Sequence, residues 1–341
     1  MEHLMDLTKS LTDIDGISGD ESRVRDFIIE HIKDYCDYHV DPLGNLIAFK
    51  KGATTPQNKV MVAAHMDEVG FIVTGIDESG MLRFENVGGI DTRTLLGKRV
   101  RIGEIVGVIG YVPIHLTKGA KDDIPDPKIL RIDVAAKDKE DALKHIQIGD
   151  GAVFDSDYRE FGDGLIKAKA LDDRIGCAIM IKMIQSSLKF DMYFAFNVQE
   201  EVGCRGAVTS TYSIDPDYAI VIEATTAADI AGVETGNKVC ELGKGPVISI
   251  ADRGTAYDRK VVQKGFATAK EIGVLVQPKQ SVAGGNDASV IHMSRGGVKT
   301  IAVSMPCRYI HSPVNVLKKG DIENAHKLIG ALSDEFAQMD D

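Results

Sequence analysis

The residues in this chain with the most chemical potential stand just after apolar runs. Lys59 to Ala64 leads into His65 and Asp67, and the run Met192 to Val198 leads into Glu200 and Glu201. Tyr218 to Ile222 leads into Glu223, and Thr300 to Met305 is followed a few residues later by His311. Carboxylates are seldom buried unless they are paired or hold a metal. In an open α/β sheet, sites form in the crevice beyond the carboxyl ends of the strands. Four strands that each end in an imidazole or a carboxylate therefore predict a metal site.

Asp172 and Asp173 stand before an apolar helical stretch that begins at Arg174. Acidic residues at a helix start are ordinary caps, but a carboxylate held between two cations can give one oxygen to each. Asp172 is the candidate for that bridge. One cation would take His65, Glu223 and Asp172, the other His311, Glu201 and Asp172. Mixed imidazole and carboxylate ligands suit Zn, Co or Mn. Asp67 lies two residues beyond His65, on the same face of an extended chain, where it can orient the imidazole. Glu200 is left over as a general base. His115, His145 and His292 have no carboxylate neighbours in ligand-like positions and are read as structural. Arg205 reads as helix-cap material or a substrate contact, and the Gly284-Gly285-Asn286-Asp287 turn as a pocket edge or a loop.

These residues have to be positioned by a larger framework. Residues 4–35 carry two helical stretches parted at Ser18-Gly19-Asp20, which reads as a break with an N-cap. A turn between short strands is expected over Val40 to Ala48, and buried strands over the four runs. From 68 to 163 the texture changes to short alternating runs broken by turn signals, with Asp122 to Pro127 as an exposed loop and one helical piece over Asp138 to His145. Strands and helices alternate again from 164, with helices expected over Arg174 to Ser186, Thr255 to Ile272 and Lys319 to Met339. The expected organisation is a catalytic α/β domain built from 1–67 and 164–341, with a β-rich domain inserted at 68–163.

Composition narrows the partners. The chain has 341 residues, with 40 Lys plus Arg against 51 Asp plus Glu, a formal charge of -11. That balance argues against nucleic acid. No run approaches the roughly 18 apolar residues of a membrane span, and the first residues lack a signal-peptide pattern. The five cysteines form no CxxC pair, so free thiols and a cytoplasmic location are expected. Two other readings compete with a two-metal enzyme. A glycoside hydrolase needs a carboxyl pair and usually aromatic platforms, yet the chain has no Trp and 6% aromatics. A metal-dependent assembly protein leaves Glu200 without a purpose.

The segments AHMDEVGF (64–71), ALDDRIGC (170–177), QEEVGCRGA (199–207), IEATTAADI (222–230), GGNDAS (284–289) and RYIHSPVNVL (308–317) closely resemble those of the family 42 metallopeptidases. These are the tetrahedral, glutamyl and deblocking aminopeptidases, some of whose members are labelled endoglucanases. The resemblance covers nearly the whole chain. It implies a zinc-exopeptidase-like α/β fold, a three-layer open mixed sheet with helices on both faces, and a barrel-like insertion that serves dimerisation. It also implies a peptide substrate, two divalent metal ions per subunit, and dimers assembling into a tetrahedral dodecamer. By motif, His65, Asp172, Glu201, Glu223 and His311 correspond to metal ligands, Glu200 to the general base and Asp67 to the residue orienting His65. Aspartate is common in the family where this chain has Glu223, and threonine where it has Asn286.

Overall fold

The computed structural model describes residues 1–116 and 126–340. Its centre is an eight-stranded mixed sheet in the order Asp37–Val40, Leu46–Lys50, Met192–Asn197, Val60–His65, Tyr218–Thr226, Lys299–Cys307, Val247–Ile248, Gln277–Pro278. The four runs singled out in the sequence are the four adjacent central strands, and all of them run parallel. Parallel strands are covered on both faces, so their sequences read as continuous apolar stretches. Every residue of Val60–His65 is buried accordingly. Helices cover both faces of the sheet, and Leu171–Ile184 packs on the two innermost strands.

Register brings the strand ends to one level. His65 pairs with Asn197, and Val221 with Ala63. Two residues further along the parallel strand, Glu223 stands level with His65, beside Ser304. The Tyr218–Thr226 strand is longer than the apolar run predicts, because its pairing continues to Thr226 and Cys307. Glu223 is therefore inside the strand and not after it.

Six strands, Gly70–Ile76, Leu82–Val87, Arg131–Asp133, Ile105–Gly110, Arg99–Ile102 and Gly151–Phe154, close into a barrel. Phe71 fills it, meeting Phe84 and Phe154 edge-on at 5.1 and 5.2 Å. A short helix, Lys139–Leu143, is capped by the Asp138 side chain. Beyond the barrel, Arg159–Phe161 pairs with Leu165–Ala168, which pairs with Asn315–Lys318. Of the loop expected over 122–127, residues 122–125 lie outside the described residues, and Pro127–Ile129 forms a capped turn.

Three local expectations are corrected. The helix expected from Thr255 begins at Arg259, where Asp258 caps Lys260 and Val261 N–H, because Ala251 and Ala256 are bridged as extended chain. The second N-terminal helix has Glu21, and no residue of Ser18 to Asp20, at its N-cap position, and the Glu21 side chain makes no cap hydrogen bond. The last helix ends at Phe336.

Behind the strand ends lies a buried ion network. Arg174 is fully buried and donates to the carbonyls of Leu11, Ile14, Gly16 and Met66 and to Glu68 Oε1. Lys169 Nζ also reaches Glu68 Oε1, at 2.7 Å. Arg174 thereby ties the first loop to the end of the Val60–His65 strand. Replacing it with Met leaves the Met66 carbonyl without its donor, takes one donor each from the Leu11, Ile14 and Gly16 carbonyls, and weakens the pairing of Glu68. Arg174→Met should lower unfolding stability by about 3–5 kcal/mol, read as a lower urea midpoint; a change under about 1 kcal/mol would mean that the network is dispensable.

Candidate metal centre

The strand ends bring His65, Asp172, Glu201, Glu223 and His311 together. His65 Nε2 lies 3.4 Å from Glu223 Oε1 and 3.6 Å from Asp172 Oδ1. His311 Nε2 lies 3.3 Å from Asp172 Oδ2 and 3.3 Å from Glu201 Oε2. The two oxygens of Asp172 thus face different imidazoles, and each imidazole faces a second carboxylate. Asp173 is also buried near His65 and Glu223, but its Oδ1 accepts from Gly176 N–H. The Asp172–Asp173 peptide is cis, and both residues are non-helical within their helix.

Both imidazoles are oriented from behind. His65 Nδ1 donates to the Asp67 carbonyl at 3.1 Å, with Asp67 Oδ1 at 3.4 Å. His311 Nδ1 donates to the Gly89 carbonyl at 2.8 Å. In each ring this turns Nε2 toward the carboxylates, the orientation of a histidine that gives up its Nε2 proton to ligate a metal.

Asp67 does more than orient His65. Its Oδ1 accepts from Glu200 N–H, and its Oδ2 from Glu201 N–H and Ser18 Oγ, at 2.6–3.1 Å. Glu21 Oε1 accepts from Gln199 N–H at 3.1 Å. Two buried carboxylates therefore grip three successive amides, and this fixes the turn that carries Glu200 and Glu201. Gln199, at φ 57°, leaves the strand through the left-handed region. Gly88, at φ +84°, lets the barrel approach, since a Cβ there would meet Val69 at 2.8 Å and Glu201 Cβ at 3.3 Å.

The electrostatics are those of a site with surplus negative charge. Burial pushes Glu200 and Glu223 well above the usual carboxylate range and Glu201 up to about 7. Burial also opposes charge on His65 and His311. Glu223, with Asp172 and Asp67, nevertheless holds His65 well above its ordinary value, and Asp172 with Glu201 takes His311 to about 9. Asp172 is driven low, because the two imidazoles outweigh its desolvation. Its Oδ1 and Asp173 Oδ2 are buried without a hydrogen-bond partner. Orphaned carboxylate oxygens beside imidazole nitrogens are a donor set that divalent cations satisfy, so the residues fit a metal centre.

A cleft of about 370 Å³ opens on Asp172, Glu200, Glu223 and His311. Its lining also includes Lys279, Arg253, Thr225, Ser304 and Asn286. Lys279 is 8% exposed. Its ammonium makes no hydrogen bond or ion pair among the described residues and feels Asp252 and Glu223 only at longer range. The Ser304 hydroxyl is likewise buried without a partner. Sequence reading missed Lys279, Arg253, Gly89, Ser18, Glu21 and Asp287. Of these, Asp287 lay in the Gly284-Gly285 turn marked as a pocket edge or a loop, and Ser18 in the break marked for an N-cap. Asn286 Oδ1 accepts from Ala288 N–H. Among the described residues the Arg205 side chain reaches only Gln199 Oε1, at 3.4 Å. His292 bonds its own helix at Ala288 O.

A family profile described as M42 glutamyl aminopeptidase matches residues 44–328. A putative aminopeptidase of Acetivibrio thermocellus is 42% identical over 96% of this chain and 98% of its own length. A lysyl aminopeptidase of Pyrococcus furiosus is 36% identical over 98% of each. Among solved structures, the TET1 peptidase of Pyrococcus horikoshii superposes with a TM-score of 0.86 at 37% identity, covering 97% of this chain and 99% of that one. That peptidase can assemble into a tetrahedron or a large octahedral shell.

Proposed function

This chain belongs to the M42 glutamyl aminopeptidase family, and from that premise we propose that it removes the first residue of peptides at a centre for two divalent cations, with Glu200 as general base. The observation that carries the reading is Asp172, whose two carboxylate oxygens each face a different imidazole. His65, Glu223 and Asp172 would hold one cation, and His311, Glu201 and Asp172 the other, with Zn, Co or Mn suited to the donors. Cations there supply Lewis-acid chemistry, polarising a carbonyl and acidifying water.

The remaining work falls to the protein. Glu200 is half-buried, lines the cleft and is not needed as a ligand in either trio. Its raised proton affinity suits it to take a proton from the attacking water and return it to the leaving amine. Asp67 keeps Glu200 in place through the backbone. The free amine of the substrate finds its counter-charge among the carboxylates at the cleft floor. The first side chain then points toward Lys279, and an unpaired buried ammonium recognises a carboxylate there. Glutamyl and aspartyl substrates are the class this cleft fits.

A panel of aminoacyl p-nitroanilides, assayed before and after chelation with metals added back, tests both claims. Glu200→Gln should lose about 10²–10⁴-fold in kcat while still taking up metal; near-normal turnover removes Glu200 from this role. Lys279→Met should cut the ratio of kcat/KM for glutamyl over glutaminyl substrate roughly 10- to 100-fold. An unchanged ratio ends the claim for Lys279 and leaves the peptidase reading intact.

The same reading takes residues 68–163 as an inserted domain that joins subunits into dimers and, through them, a dodecamer. Val106 and Val108 support it, standing 50% and 42% exposed on the outer face of the barrel strand Ile105–Gly110. Isolated valines on a surface are ordinary, but Tyr111 and Leu116 nearby in sequence are exposed as well. Native mass spectrometry should find oligomers for the natural chain and smaller species for Val106→Asp/Val108→Asp. A monomeric natural chain contradicts this part of the reading.

A further inference from the structure

A second group of ligand-type side chains adjoins the His65–His311 cluster. One ligand atom each from Glu200, Cys204 and Asp287 lie within 4.8 Å of one another. Cys204 Sγ is 3.4 Å from Glu200 Oε1, and Ser289 Oγ donates to the sulfur at 3.6 Å. Backbone geometry fixes this proximity, because Gly203 and Cys204 N–H both donate to the Glu200 carbonyl at 2.8 Å. Cys204 then turns through φ 55° into the helix Arg205–Ile214.

Asp287 is the independent pointer to a ligand. It is 1% exposed. Its Oδ2 accepts from Asn197 Nδ2 at 2.7 Å, and Asn197 is itself held by Ser210 Oγ at 2.7 Å. That support leaves Oδ1 buried with no hydrogen-bond partner among the described residues. An orphaned carboxylate oxygen at such depth is costly, and here it belongs to a rigidly held side chain beside a thiol and a second carboxylate.

We propose that Cys204, Asp287 and Glu200 form a further, inhibitory cation site for a thiophilic divalent metal such as zinc, filled when the metal exceeds what the His65–His311 centre takes up. A thiolate with two carboxylates favours zinc over a hard cation such as manganese. Entry of the cation displaces the thiol proton to solvent. Glu200 then serves as a ligand and cannot accept a proton from water. The effect on turnover rests on Glu200 being the general base; the binding does not.

Cobalt(II) alone is the probe for binding, titrated into protein whose His65–His311 centre is already loaded. The natural chain should take up one equivalent more than Cys204→Ser and develop a thiolate-to-cobalt charge-transfer absorption that the variant lacks. Cys204→Ala serves if the serine variant folds poorly, and Asp287→Asn should weaken the extra uptake. Excess zinc should lower turnover of the natural chain roughly 100-fold, excess manganese should not, and Cys204→Ser should show the same rate with and without the excess. Equal uptake in both proteins, or the absorption surviving in Cys204→Ser, overturns the site. Extra uptake with the absorption but without inhibition upholds the site and counts against Glu200 as base.

Discussion

Negative charge crowded into a desolvated pocket is the constraint on which the rest of this structure depends. Asp172, Glu200, Glu201 and Glu223 converge at the ends of parallel strands, where burial raises the cost of ionising each of them. Among themselves they repel. Two imidazoles offset part of that charge, and divalent cations would offset more. Many features around the site serve to hold these side chains where they would not otherwise stay. Asp67 and Glu21 grip the 199–201 turn, Arg174 anchors the chain behind His65, and the Gly89 carbonyl aims His311.

The barrel takes part in this positioning. Gly89 lies just after its Leu82–Val87 strand, and Gly88 packs against Glu201. Arg101, on another barrel strand, pairs with Asp15, which approaches Lys169 in the network behind the site. Forces on the barrel can therefore reach both the His311 side and the Arg174 side of the centre. If the barrel also carries subunit contacts, assembly and the metal centre are mechanically joined through these few residues.

How much could be read from the sequence follows from how each residue reaches the site. His65, Glu201, Glu223 and His311 follow apolar runs, and parallel pairing forces the ends of such runs to one edge; that logic needs no coordinates. The placement of Asp172 between two imidazoles was legible only as one option beside a plain helix cap. Lys279, Gly89, Ser18 and Glu21 were not legible, because they arrive from loops whose course is set by tertiary packing and carry no periodic signal. Glu223 misled the strand boundary for a related reason. A charged residue reads as the end of a buried strand, whereas here the backbone goes on pairing and only the side chain turns into the site. The start of the Arg259–Glu271 helix was misplaced because Asp258, and not the earlier Thr255, supplies the cap.

The central claim is that Asp172 is shared by two cations, one on the His65 and Glu223 side and one on the His311 and Glu201 side. Anomalous diffraction at the zinc edge, from crystals of protein loaded to stoichiometry and not beyond, tests this most directly. The account predicts two anomalous peaks flanking the Asp172 carboxylate, each touching one of its oxygens. A single peak, or two of which one does not touch Asp172, would contradict it.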